Sequence, residues 1–182
     1  MTFPALALWS AVQTATIANF GSWPPEAGDT LGIYFSSRGF RFDPYYKKAI
    51  LSRGEAELSG KAAFLLEVAD SLAEKATQKG WQGLNLHRHP EKAPLIQNPN
   101  LIPSSWAGLG YIQRLELYAT PQKIVYAESN RFHSEVVPVL SCSIEGIVFT
   151  PNGARPFQVT LPLPLEAWQT ALVEALFTLL SN

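Results

Sequence analysis

The chain has 182 residues, with 14 basic against 15 acidic side chains and a formal charge of −1, so nothing in the overall balance draws it to nucleic acid or to anionic membranes. Charged residues make up 16% and apolar residues 47%, where an ordinary soluble domain carries about 25% charge; that composition excludes disorder and collagen-like structure and supplies one substantial core. A single cysteine, Cys142, excludes an internal disulfide and any zinc or iron–sulfur site built from cysteines.

The first twenty residues are apolar, but no Lys or Arg precedes Arg38, and Ser10, Gln13, Thr14, Thr16 and Asn19 break the run. That pattern fits neither a secretory signal nor a membrane span, and the expectation is a soluble, cytoplasmic protein. Pro4 suits a first helical turn and Gly21 a helix stop, so 4–19 reads as a helix. Leu31, Ile33 and Phe35 alternate with Gly32, Tyr34 and Ser36 at the period of a strand, and Phe40 and Phe42 resume that alternation after Ser37-Arg38-Gly39. The segment 30–42 is therefore expected to be a hairpin. Asp43-Pro44 can begin a short helix that Gly54 ends, although 47–58 also reads as a strand.

The clearest helical signal runs from Ser59 to Lys79: Leu65, Val68, Ala69, Leu72 and Ala76 recur three and four apart, and Gly80 follows as the stop. Leu84 and Leu86 alternate with Asn85 and His87 in a short strand that runs into Pro90. From His89 to Gly110 four prolines and two glycines break any regular pattern, giving a long loop about 90–110. Strands are then expected at 111–119 and 123–129, joined by a tight turn at Thr120-Pro121-Gln122, and over 136–150 with a bend near Pro138 or Gly146. Pro151-Asn152-Gly153 marks a turn before the alternating Phe157, Val159, Leu161 and Leu163. Leu165, Trp168, Leu172, Ala175, Leu176 and Leu179 then form the stripe of a closing amphipathic helix. With no repeats and no linker, residues 1–182 read as a single α+β domain. It is expected to hold an antiparallel sheet of about five to six strands packed by an N-terminal, a central amphipathic and a C-terminal helix.

Three features bear on chemistry. In Asn85-Leu86-His87-Arg88-His89, a strand would point His87 and His89 to one face, a spacing that suits two imidazoles on a metal or an acid/base pair beside phosphate, with His133 as the remaining imidazole. The plainer reading makes them solvent-facing residues at a strand end, and no metal or other cofactor is expected. Between 38 and 53, Arg38, Arg41, Lys47, Lys48 and Arg53 stand against Asp43 alone, interleaved with Phe40, Phe42, Tyr45 and Tyr46. Such a segment can stack on bases and neutralise phosphates, recognise an acidic protein or a phosphorylated ligand through Arg forks, or else be a solvated face over core rings. Trp23, Trp81 and Trp106 fall outside the regular elements, where an indole either lids the core or anchors a partner. Nucleophile elbows, phosphate loops and HExxH spacings are absent from the sequence, and Cys142 lies in an alternating strand as a core residue.

The reading that follows is a non-catalytic binding or assembly protein, chaperone-like or an adaptor, holding a partner protein. Its contacts would be Trp106, Trp23, Arg38, Arg41, Tyr45, Tyr46, Lys47 and Lys48; nucleic acid is disfavoured. The alternatives are an enzyme on a phosphorylated or nucleotide substrate using His87, His89 and His133, and a carrier with an apolar pocket between the sheet and the closing helix.

Overall fold

The computed structural model describes residues 29–42, 60–128 and 131–181. Six strands form one mixed sheet: β1 (Thr30–Phe35), β2 (Phe40–Phe42), β3 (Gln82–Asn85), β4 (Trp106–Glu128), β5 (Arg131–Thr150) and β6 (Gly153–Leu163). The order is β3-β1-β4-β5-β6, with β2 also on β4. Two long helices, α1 (Lys61–Gln78) and α2 (Trp168–Ser181), and a chain of single helical turns between 86 and 101 complete the α+β architecture.

The helix α1 forms where the periodicity places it and buries Phe64, Leu65, Val68, Ala69, Leu72 and Ala76. It ends in a left-handed Gly80 (φ +90°), with the Trp81 N–H bonded back to Ala76 O at 3.1 Å, a glycine-stopped C-terminus. In α2 the buried residues are Trp168, Leu172, Ala175, Leu176, Phe177 and Leu180. Both helices join one core with Leu31, Ile33 and Phe35 of β1, Leu115 and Leu117 of β4, Cys142 and Ile144 of β5 and the alternating Phe157, Val159, Leu161 and Leu163 of β6. The turn before β6 occurs at Pro151 and Asn152, as the sequence indicates. A second, smaller cluster, Leu86, Ile102, Trp106 and Leu109, is packed by Tyr34, Leu84, Leu95, Ile96 and Phe149.

Four expectations are corrected. The sheet is mixed, not antiparallel, because β1 runs parallel to both β3 and β4 and β2 runs parallel to β4. Segments 30–35 and 40–42 are accordingly not a hairpin; they lie in succession along one edge of β4, joined by the turn Ser37–Gly39. A Cβ at Gly39 would lie 1.7 Å from Gln113 O, so this turn closes onto the β4 irregularity between Ile112 and Arg114 only with glycine there. No turn occurs at Thr120-Pro121-Gln122: β4 runs for 23 residues, and Pro121 stands opposite Pro138 in a ladder with β5 that is unbroken from Arg114 to Glu128. Finally, β4 begins at Trp106, inside the stretch expected as loop; residues 90–101 wind into three short helical turns rather than irregular chain, and Leu86–Arg88, expected as strand, form a fourth. The N-terminal helix read at 4–19 and the element read within 43–58 lie outside the described residues.

Candidate functional site

The chain turns directly after β3, and the cause is local: Asn85 Oδ1 accepts the His87 N–H at 3.0 Å, drawing Leu86–Arg88 into a 3-10 turn. His87 and His89 therefore do not share a strand face. Asn85 is the one buried polar residue among the described ones, and its amide donates to Asp70 Oδ1 at 2.7 Å. Arg88 closes the group by donating from Nε to Asp70 Oδ1 at 2.8 Å and from Nη2 to Oδ2, a two-point fork. The Arg88 guanidinium, helped by Asn85, holds the Asp70 carboxyl below its ordinary pKa against partial burial.

His87 stacks on Tyr34 with ring centroids 4.4 Å apart and an interplanar angle of 17°, and its Nε2 accepts the Phe35 backbone N–H at 3.1 Å. An accepting Nε2 makes the ring neutral with its proton on Nδ1. Burial pushes its pKa down, partly offset by the Asp70 carboxylate. The imidazole thus serves as a fixed acceptor at the end of β1. His89 Nδ1 lies 3.2 Å from Glu91 Oε1 on the surface. His133 is opposite Tyr126, fourteen positions along β4 from Ile112, the residue level with Phe35. At about 3.3 Å per residue that separation is about 46 Å along the strand. The three imidazoles do not converge, and no group of metal-ligating side chains occurs among the described residues.

Trp106 is 8% exposed and packs in the second cluster, with Lys92 Nζ over its ring at 5.6 Å. It lids the core under the helical turns and presents almost no surface to a partner. Trp81 likewise stacks on Phe177 at 5.6 Å. Burial pushes the Cys142 thiol up to about 12, so it is no nucleophile. Arg38, within the turn Ser37–Gly39, and Arg41, the middle residue of β2, are exposed. Trp23, Tyr45, Tyr46, Lys47 and Lys48 lie outside the described residues. A groove of about 300 Å³ runs between α1 and α2, lined by Phe64, Val68 and Val173 but also by Glu67, Ser71, Gln169, Thr170 and Glu174. Its place and its polar lining differ from the apolar pocket under the sheet that a carrier would need.

The surface feature that sequence reasoning missed is the far end of the β4/β5 hairpin. β2 ends level with Leu117 and β6 ends level with Leu140, the partner of Ala119. Past that point Thr120–Glu128 and Arg131–Val139 continue as a two-stranded arm among the described residues, nine residues a side and about 30 Å long. Side chains alternate, so the odd positions of β4 that carry Leu115, Leu117 and Ala119 into the core bring Lys123 and Val125 onto the same face. The even positions of β5 do the same from Ile144, Cys142 and Leu140 out to Val136 and Phe132. Val125 is 58% exposed, Phe132 80% and Val136 59%; of the exposed large apolar side chains among the described residues only Leu101 lies elsewhere. Among the described residues, the core face of the sheet therefore runs on beyond α1 and α2 with no element over it, a strip that carries exposed Val125, Phe132 and Val136 beside Lys123 and Ser134. No apolar alternation marks this face in the sequence, since its series is Pro121, Lys123, Val125 on one strand and Phe132, Ser134, Val136 on the other, and the turn expected at Thr120-Pro121-Gln122 divides it.

Comparison with family models, curated proteins and solved structures gave no match to this chain.

Proposed function

We propose that this chain is a non-catalytic binding or assembly protein, adaptor-like or chaperone-like, that holds a partner protein on the apolar face of its β4/β5 arm. One observation carries the reading: Val125, Phe132 and Val136 are all more than half exposed on a single face of a ribbon that projects past the sheet's helices. A two-stranded ribbon is marginal in water by itself, and a contiguous apolar face on a soluble chain marks a contact surface. Arg41 stands level with Glu116, on the face of the sheet opposite the series Leu115, Leu117 and Val125, so it lies off this surface. The enzyme alternative has no assembled set of groups among the described residues, since the imidazoles are dispersed and the one thiol is buried. A reducing, cytoplasmic setting accords with a lone buried cysteine.

Site-specific photo-cross-linking in the source cells tests the proposal. A photoreactive phenylalanine analogue at Val125 should yield a discrete adduct with another protein, whereas the same analogue at Gln158, exposed on β6, should not. Equal labelling from both positions, or none from Val125 in folded protein, would remove the arm as the contact.

A further inference from the structure

An apolar ribbon can be approached from its edges, by an added strand, or on its face. The edges are blunted. Pro121 and Pro138 are direct cross-strand neighbours, and since neither has an N–H, the pair belongs to the class without mutual hydrogen bonds, in which both nitrogens point outward. Each outer edge of the arm thus lacks a donor soon after its third-strand pairing ends. The same arrangement recurs on the edge strand β6, where Pro156 faces Ile147 and Pro162 faces Ser141. Edge prolines oppose strand addition.

The face has a different character. Two strands about 4.8 Å apart, with their side chains, make a strip about 10 Å wide, close to the diameter of a helix, and the length of about 30 Å matches about 20 helical residues. Inboard, this same face is already covered by α1 and α2, so a helix outboard continues the layer. Lys123 lies on the face opposite Val136 and has no ion-pair partner among the described residues. A second copy docked through this same face would bring another Lys123 and apolar groups to it, because Glu135 alternates onto the other face.

We infer that the arm takes an amphipathic helix of a different protein, laid lengthwise on the Val125–Phe132–Val136 face, with a carboxylate beside its apolar stripe to meet Lys123. This rests on the arm being the contact surface proposed above.

Fluorescence anisotropy with the full chain and three synthetic peptides tests it. One is a 20-residue amphipathic helix with a leucine stripe and a Glu beside the stripe's centre, the second carries Lys in place of that Glu, and the third is a strand-forming Thr-Val alternation. The Glu peptide should bind and gain helicity, and its Lys twin should bind about three- to fivefold more weakly, the scale of one exposed ion pair. Lys123→Glu should reverse that order, and Val136→Glu, checked for an unchanged circular dichroism spectrum, should abolish binding of both. Preference for the strand-forming peptide would overturn the inference in favour of edge addition. So would a dimer in sedimentation that Val136→Glu dissociates with no peptide bound, or hydrogen exchange showing the face already protected in the free chain by its own segment 1–28 or 43–59. Equal binding of the two helical peptides, unchanged by Lys123→Glu, would overturn the carboxylate assignment. In each of these cases a Val125 adduct with another protein keeps the broader proposal, and its absence removes both.

Discussion

His87 shows how much of this protein's chemistry is spent on holding shape. Its unprotonated Nε2 accepts the last N–H of β1, its ring lies flat on Tyr34, and burial holds its pKa below the ordinary 6.5. A folded-state pKa lower than the unfolded one means that the unfolded chain binds the proton more readily, so this contribution is complete above about pH 6.5 and is lost as pH falls through the folded-state value. The midpoint of urea unfolding should therefore decline between pH 7.5 and 5. In His87→Phe, which keeps a ring on Tyr34 but supplies no acceptor, stability should be lower at pH 7.5 and the decline shallower; an identical slope would assign it to other groups. Trp106 belongs to the same scale. Its indole fills the space among Leu86, Ile102 and Leu109, and Trp106→Ala should destabilise the fold by about 3–5 kcal/mol, as large aromatic truncations in cores do. Denaturant melts would show this directly, whereas a partner-anchoring tryptophan would leave the midpoint in place.

Between elements, close approach decides the packing. β3 and α1 meet so tightly that a Cβ at Gly83 would lie 2.0 Å from Ala73 O, and a helix carbonyl cannot move aside as a flexible side chain can. Gly83→Ala should cost at least the roughly 1–3 kcal/mol of an overpacked core, read as a fall in the urea midpoint, although alanine is a better strand residue than glycine. At the arm, the prolines act against edge pairing rather than for a turn. Replacing both by residues with an N–H, Pro121→Val with Pro138→Thr, should leave the helical signal intact and increase self-association in light scattering. Unchanged scattering would show that the edges are protected by something other than proline.

Across the whole molecule, protection should fall from body to arm. The body binds β4 and β5 between β1, β2 and β6 and under two helices, while the arm has two strands among the described residues. Hydrogen exchange should therefore be faster for the backbone amides of 122–125 and 132–137 than for those of 109–117 and 140–149, and arm amides should slow when a partner is bound. Uniform protection along β4 in the free chain would mean that the arm is already covered. No helix among the described residues is long and apolar enough to cross a membrane.

The sequence by itself determined those elements whose signal is local. Leu65 to Ala76 recur at helical spacing, Gly80 ends that helix in the left-handed region, and Phe157 to Leu163 alternate into the core, because each pattern is written within one or two turns or pleats. The buried role of Cys142 was legible for the same reason. Strand direction was not, since the residues of β1 alternate identically whether the neighbour is parallel or antiparallel, and only the chain's path through α1 brings β3 alongside. Nor was the meaning of Pro121. A proline without an N–H breaks a ladder or fits it according to which way its nitrogen points, and that is set by its register against Pro138, a contact made only in the tertiary structure. The same holds for the contact surface. Trp106 and Val125 are equally apolar on paper, but the helical turns that bury the first have no counterpart among the described residues over the second. What covers a residue is decided by the rest of the fold.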